Sequence, residues 1–159
     1  ADQRRYQLGR ARAKMEQFDA ALDLLRGDQS REANRLRADV YWAKQDWLAT
    51  ATVLARMLRD RDPDAESLAA EEVEQLMKMA VALALTNNRP ALAELRAKYG
   101  SMMDQTANGQ AFRAISSYVD GGPIDVTNMS STVAEIDTYE AYMASLRERV
   151  AGDSLSSVN

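Results

Sequence analysis

Two stretches of this chain repeat one pattern of small and aromatic residues, and the repeat restricts the fold more than any other feature. The first copy consists of Leu8, Gly9, Phe18, Ala21 and Leu25, and the second of Ala38, Tyr41, Trp47, Thr50 and Leu54. A small residue, an aromatic residue about nine positions later and a small residue about three positions further on are typical of two antiparallel helices whose elbow is filled by the aromatic ring. The pattern predicts helical hairpins that stack into a binding surface.

The composition favours an all-α chain and removes most catalytic chemistry. Only 7 glycines and 3 prolines occur in 159 residues, and no useful stretch alternates apolar and polar residues. With no histidine and no cysteine, the imidazole base, the thiolate nucleophile and the usual zinc ligands are missing. No apolar run is long enough to span a membrane. We predict no catalysis, no cofactor and no metal.

Capping residues and helix breakers divide the chain into predicted helices. Gly27 ends the first hairpin, Ser30 caps the second, Asp64 or Ser67 caps the third, and Tyr99-Gly100 ends it. The predicted hairpins span residues 2–27, 30–60 and 65–99, and single helices follow over 102–119 and 132–150, the last opened by a capping box of Thr132 and Glu135. We expect one domain over residues 1–150, a loop over 121–129 and a disordered tail over 151–159.

Seven of the repeat positions resemble the tetratricopeptide repeat (TPR) family, and they are Gly9, Phe18, Ala21, Leu25, Tyr41, Trp47 and Leu54. The resemblance implies a right-handed superhelical stack of helix pairs, closed here by the helix over 132–150. It also implies that Gly9 lets two helices approach closely and that Phe18 and Trp47 fill the elbows. Arg12 stands where the family commonly has tyrosine, and the 29 residues from Phe18 to Trp47 are fewer than the family's repeat of about 34.

In this family the first helix of each pair lines a concave groove that contacts the partner. By position, the resemblance assigns to the groove Tyr6, Arg10, Arg35, Asp39, Trp42, Gln75 and Lys78. Trp42 is interpreted as an anchor for a peptide or helix, because Trp47 already occupies the elbow. The alternative is that Trp42 packs under the neighbouring helix.

Charge separates the two parts of the chain. Residues 1–61 hold 13 Lys/Arg and 9 Asp/Glu, a net charge of +4, whereas residues 62–159 hold 7 and 15, a net charge of −8. An acidic partner segment could be steered to the first part, and weak head-to-tail self-association is a second interpretation; solvated helix faces are a third. Acidic residues interleave with the arginines and the whole chain carries −4, so nucleic acid is disfavoured.

Two acidic patterns resemble chemical sites. Asp60, Asp62, Asp64 and Glu71 imitate the ligand spacing of a calcium loop, but Ala65 replaces the glycine that such a loop needs at its turn. Carboxylate pairs such as Glu71 with Glu74, or Asp137 with Glu140, are compatible with acid–base hydrolysis, but they lie on amphipathic helices with no aromatic sugar platform nearby, which favours solvated helix faces. A helical enzyme that uses only carboxylates therefore remains the weak alternative.

The sequence thus predicts a non-catalytic scaffold or adaptor that binds a peptide or helix of a partner protein in its groove. The alternative of the structural class is an end-cap of a longer helical solenoid. Because the chain begins with Ala1 and shows no leader, we expect it to be the C-terminal part of a larger protein, and its arginine- and alanine-rich style resembles a bacterial one. Its lack of cysteine fits the cytoplasm and the periplasm equally.

Overall fold

In a computed structural model of the chain, residues 2–118 are described, and over this range they form seven α-helices and no strand. The helices are α1 Asp2–Lys14, α2 Phe18–Leu24, α3 Arg31–Ala43, α4 Trp47–Arg59, α5 Ala70–Leu85, α6 Arg89–Asp104 and α7 Gly109–Tyr118. The all-α prediction is confirmed for this part of the chain. The predicted loop over 121–129, closing helix over 132–150 and tail over 151–159 lie outside the described residues.

The chain divides into two compact units, Ala1–Ala65 and Glu66–Asn159. In the first unit α1 packs against α2 and α3 against α4, and α3 also contacts both helices of the first hairpin. In the second unit α5, α6 and α7 each contact the other two. The prediction of one repeat domain over residues 1–150 concerns the whole chain and stays a prediction. No helix within residues 2–118 is long and apolar enough to cross a membrane.

Six of the ten repeat positions are buried in the two hairpins of the first unit, whereas Leu8 is exposed. Ala21 and Leu25 of the first hairpin are fully buried, and so is Thr50 of α4. A Cβ added to the buried Gly9 would lie 3.5 Å from the Cδ2 of Leu25, an ordinary contact distance. Alanine would therefore fit there, and the equivalent position of the second hairpin holds a buried alanine, Ala38. Phe18 and Trp47 are the first residues of α2 and α4, and both are half-buried.

Three interhelical elbows share one backbone geometry. Glu16, Gln45 and Asn87 adopt φ angles of 57°, 58° and 54°, in the left-handed region. In each elbow the N–H of this residue bonds to the carbonyl three residues back, and the next N–H bonds to the carbonyl five residues back, at 2.9–3.0 Å. This is the Schellman motif, which satisfies carbonyls at the end of a helix. The three elbows end α1, α3 and α5, so the hairpins of both units turn in the same way.

Replacing Gln45 by glycine should stabilise the first unit by about 0.5–1 kcal/mol, because glycine adopts a positive φ without the steric cost of a Cβ. Urea unfolding followed by tryptophan fluorescence measures this directly, since both tryptophans of the chain, Trp42 and Trp47, lie in the first unit. Ala43→Gly is the matched control: Ala43 is the last residue of α3, so glycine there should destabilise by about 1 kcal/mol or less. Equal effects of the two substitutions would contradict the assignment of Gln45 to the left-handed position of a Schellman motif.

A clamp built on Arg37 holds the connection between α2 and α3. The guanidinium of Arg37, on α3, donates hydrogen bonds to the backbone carbonyls of Leu25 and Asp28. Its other terminal nitrogen donates to the Oδ1 of Asn34 at 2.5 Å, and the Nδ2 of this buried asparagine donates to the carbonyl of Gln29 at 3.2 Å. The backbone carbonyls that follow the end of α2 therefore accept hydrogen bonds from side chains of α3. These side-chain-to-backbone hydrogen bonds join the two hairpins.

The predicted N-caps of α5 are wrong. The helix begins at Ala70, and the residue at the N-cap is Ala69, whose N–H donates to the Oε1 of Glu72 at 2.9 Å. Asp64 lies instead in the preceding turn, where its N–H donates to the Oδ1 of Asp62 at 3.0 Å. Glu72, in the first turn, thus supplies the carboxylate that the start of the helix requires.

The predicted end of α6 at Tyr99-Gly100 is also wrong, and so is the start of the next helix at Met102. Helix α6 continues through the buried Gly100 to Asp104, and α7 begins at Gly109. The carboxylate of Asp104 accepts two bonds from Arg113 of α7, at 2.6 and 2.5 Å, so the last turn of α6 is fixed to the next helix. The side chain of Arg113 passes 3.5 Å from the place where a Cβ of Gly100 would be.

Candidate functional site

Five of the predicted groove residues lie on two adjacent helices of the first unit. Tyr6 and Arg10 are on α1, and Arg35, Asp39 and Trp42 are on α3, which contacts α1. The 29-residue offset makes Tyr6 equivalent to Arg35 and Arg10 equivalent to Asp39, so these residues occupy the same side of their respective helices. We call the five residues the α1–α3 face.

The α1–α3 face is only partly open. Arg35 and Asp39 are exposed, whereas Tyr6, Arg10 and Trp42 are half-buried. Half-buried aromatic rings beside exposed charges are the composition expected of a surface that recognises a polar peptide.

The sequence interpretation required Trp42 to be separate from the elbow that Trp47 fills. In the structure it is not. Its ring meets the ring of Trp47 edge to face, with centroids 5.0 Å apart and planes at 76°. This is a favourable aromatic geometry. The two tryptophans form one cluster that both closes the second hairpin and contributes half-buried surface to the α1–α3 face.

Because of this contact, replacing Trp42 by alanine should cost the first unit about 2 kcal/mol of unfolding free energy. Trp42→Phe keeps an aromatic ring against Trp47 and should cost about half as much or less. Urea unfolding followed by far-UV circular dichroism measures both variants without depending on the removed fluorophore. An unchanged unfolding midpoint for Trp42→Ala would mean that the ring contributes only to the surface.

The remaining two predicted residues lie on α5, in the second unit. Gln75 is buried, with 8% of its surface exposed, so its assignment to an open groove is wrong. Lys78 is half-buried, and its Nζ lies 3.3 Å from the Oε1 of Glu74, one turn away on the same helix. The next two residues, Leu76 and Met77, are fully buried, so the covered part of α5 extends around the helix from Met77 to Gln75.

Sequence reasoning missed a cleft in the first unit that lies between α2, α3 and α4. Its volume is about 650 Å³. Its lining consists of Leu22, Asp23, Arg26, Gly27, Gln29, Arg37, Tyr41, Asp46, Leu48, Ala49, Thr52, Val53 and Arg56. Leu48 is 69% exposed at this cleft. A large apolar residue directly after the elbow tryptophan, off the repeat pattern, was the signal in the sequence.

The charged groups of this cleft already have partners. Arg26 pairs with Asp23 at 2.5 Å, Arg37 holds the backbone clamp, and Arg56 donates to the Oε1 of Gln29 at 3.3 Å. The Oδ1 of Asp46 accepts the N–H of Ala49 as the N-cap of α4. The cleft is therefore an open surface of mixed polar and apolar lining, and its arginines have partners within the chain.

Perturbed side-chain pKa values in the described part of the chain have structural causes. The backbone N–H of Ser30 holds the pKa of the Asp28 carboxyl below its ordinary value, and Arg113 does the same for the pKa of Asp104. The bond from its ammonium to Asp19 raises the pKa of Lys44. Within residues 2–118, no three side chains of the metal-binding types His, Cys, Asp and Glu are grouped as a metal site.

Comparisons with protein-family models, with curated proteins and with solved structures found no match to this chain. In the described residues, two equivalent helices, α1 and α3, present one mixed aromatic and charged face.

Proposed function

We propose that this chain is a non-catalytic protein-interaction module of TPR-like helical hairpins, and that it binds an acidic peptide or helix of a partner on the α1–α3 face. The observation that supports this most directly is the repetition of one face on two adjacent helices, at a 29-residue offset. A surface assembled from equivalent helices is extended, and an extended surface suits a peptide segment better than a small molecule.

The charge of the first unit supports an acidic ligand. Helix α1 carries Asp2 as its one acidic residue against five basic ones, and residues 15–61 contain equal numbers of Lys/Arg and Asp/Glu. The net charge of +4 in residues 1–61 therefore comes from α1. An acidic segment would be attracted to this helix, and exposed Arg35 on α3 would extend the contact along the face.

A peptide selection on the purified chain tests the proposal and identifies the ligand chemistry at the same time. A displayed random-peptide library is selected on the wild-type chain, and the Kd of the recovered peptides is measured for wild type and for an Arg10→Glu/Arg35→Glu variant. We expect acidic peptides whose affinity falls about tenfold or more in the variant.

Arg4→Glu/Arg59→Glu provides the matched control, since both residues are exposed, the net charge changes equally and neither belongs to the α1–α3 face. The affinity of this control variant for the selected peptides should stay within about threefold of the wild-type affinity at moderate salt. Equal weakening in both variants would show that only net charge matters, and a selection without enriched peptides would count against a peptide-binding face.

A further inference from the structure

The turn between α6 and α7 contains the one asparagine of the chain that is followed by glycine, Asn108 before Gly109. The backbone nitrogen of the residue after an asparagine can attack the carboxamide carbon of that asparagine, and glycine leaves this approach open because it has no Cβ. The packing of the turn requires this glycine, since a Cβ on Gly109 would lie 2.4 Å from the carbonyl oxygen of Met103. The fold therefore keeps a chemically reactive pair at this place.

The carboxamide of Asn108 is not used by the turn. The backbone N–H of Asn108 donates to the Oγ1 of Thr106 at 3.3 Å, and its carbonyl accepts the N–H of Phe112 at 2.9 Å. Ahead of α3, α4 and α6, the side chain of the residue before the helix accepts the N–H three residues further on. Ahead of α7, the carboxamide of Asn108 takes part in no hydrogen bond within residues 2–118. No such bond therefore holds this group away from the backbone.

Space is available beside the carboxamide. Asn108 is half-buried, and it lines a cavity of about 380 Å³ together with Thr106, Ala107 and four residues of α5. A side chain at the edge of a cavity can change its rotamer without displacing packed neighbours. The carboxamide of Asn108 can therefore turn toward the backbone nitrogen of the next residue.

We infer that Asn108 is a site of spontaneous deamidation, in which the backbone nitrogen of Gly109 attacks the Cγ of Asn108. The new bond between this nitrogen and Cγ closes a five-membered succinimide, and the bond from Cγ to the amide nitrogen breaks. The amide nitrogen leaves as ammonia with the proton of the Gly109 N–H. A water molecule then opens the ring at one of its two carbonyls, giving aspartate or isoaspartate. No oxidant, reductant or cofactor is needed.

The folded turn sets the rate of this reaction. The N–H of Gly109 donates to the carbonyl of Thr106 at 3.3 Å, which is longer than the usual range for a hydrogen bond. Attack requires this nitrogen to lose its proton and to leave the helical geometry, so the turn has to open locally. The bonds from Arg113 to the carboxylate of Asp104, at 2.6 and 2.5 Å, oppose that opening.

The two products should affect the second unit differently. Aspartate at this position places a negative charge directly before α7, where the helix dipole favours it. Isoaspartate carries the backbone through the former side chain and so adds one carbon beside Gly109, where there is no room even for a Cβ. Formation of isoaspartate therefore opens the α6–α7 turn irreversibly. This inference concerns the second unit and goes beyond the proposed peptide-binding face of the first.

Peptide mapping by mass spectrometry tests the inference on the full chain. The purified chain is incubated in a mildly alkaline buffer, and each asparagine is followed for the mass increase that replacement of NH₂ by OH produces. We expect Asn108 to react about tenfold or more faster than Asn34 and Asn87, neither of which precedes glycine. The chymotryptic peptide 100–112 contains no other asparagine, so its aspartate and isoaspartate forms can be separated against synthetic standards.

Two substitutions test the role of the turn without changing the reacting pair. Arg113→Met and Asp104→Ala each remove the bonds between α6 and α7, and each should accelerate deamidation of Asn108 about threefold or more in the folded chain. Arg89→Met removes a positive charge at an exposed position outside the turn and should leave the rate within about 1.5-fold of wild type. In concentrated urea all four chains should react at one higher rate.

The chain that carries isoaspartate, separated from the unreacted chain, should exchange amide hydrogens faster over residues 89–118. An Asn108→Asp chain should not, because it keeps the ordinary backbone. Three results would overturn the inference: Asn108 reacting no faster than the other asparagines, equal rates in Arg113→Met, Asp104→Ala and wild type, or unchanged exchange in the isoaspartate form. None of these measurements involves the α1–α3 face, so their failure would leave the peptide-binding proposal standing.

Discussion

Replacing Gly109 by alanine should destabilise the second unit by about 3 kcal/mol. A Cβ at this position would lie 2.4 Å from the carbonyl oxygen of Met103 and 2.8 Å from the Cα of Asp104. Both are backbone atoms, which cannot rotate away as the end of a side chain can. The turn between α6 and α7 would have to open, and hydrogen exchange measured by mass spectrometry should therefore accelerate over residues 89–118.

Gly100→Ala is the matched control, and it should have the opposite sign. A Cβ on Gly100 would lie 3.5 Å from the terminal guanidinium nitrogen of Arg113, an ordinary contact with a flexible group. Since Gly100 is inside α6, alanine should stabilise the helix by about 0.5–1 kcal/mol. Equal stability of the two variants would mean that the α6–α7 turn yields to the added methyl group.

Glycine shows why some helix ends could be predicted and others could not. Gly27 adopts a φ of 85° in the turn that follows α2, which is the left-handed conformation predicted for it, although the C-cap itself is Leu25. Gly100 was interpreted in the same way and is instead a buried position inside α6. The turn of α6 that follows Gly100 is bonded to the next helix through Asp104 and Arg113, and a local pattern does not contain that interaction. Caps of the Ser30 type act within one turn, so the start of α3 was predictable.

The first two elbows were predictable only through the repeat. Glu16 and Gln45 have positive φ angles without being glycine, so neither residue type indicates a turn. The spacing of Phe18 and Trp47 located both elbows, because it reports helix packing rather than local turn chemistry. At the third elbow Asn87 is a residue type that tolerates this conformation, so local turn chemistry alone indicates that elbow.

The candidate site was predictable to the level of helices and less so at single residues. Assigning α1 and α3 one common face needed only the offset between the two copies. Gln75 was misplaced because it was assigned by its position in the third hairpin, which follows the repeat pattern weakly, whereas the buried side of α5 includes it. The contact between Trp42 and Trp47 was missed because sequence neighbours five apart meet only when an elbow intervenes. The cleft between α2, α3 and α4 forms only where the two hairpins stack, and no local sequence pattern reports that stacking.

Replacing Arg37 by methionine should destabilise the first unit by about 3 kcal/mol. Methionine keeps much of the side-chain bulk but removes every donor, so the carbonyls of Leu25 and Asp28 lose their guanidinium partner. The buried Asn34 also loses the donor to its Oδ1. The tryptophan-fluorescence transition in urea should shift to lower denaturant, since it reports on the second hairpin of the same unit.

Arg37→Lys separates charge from geometry in this clamp. Lysine retains the positive charge, but its single ammonium cannot reach two carbonyls and an amide oxygen in the way a planar fork does, so most of the loss should remain. Arg56→Met, at the rim of the same cleft with one bond of 3.3 Å to Gln29, should cost about 0.5 kcal/mol or less. If Arg37→Lys were as stable as wild type, charge alone would join the hairpins. If Arg56→Met cost as much as Arg37→Met, the loss would come from the cleft surface and the clamp would contribute nothing specific.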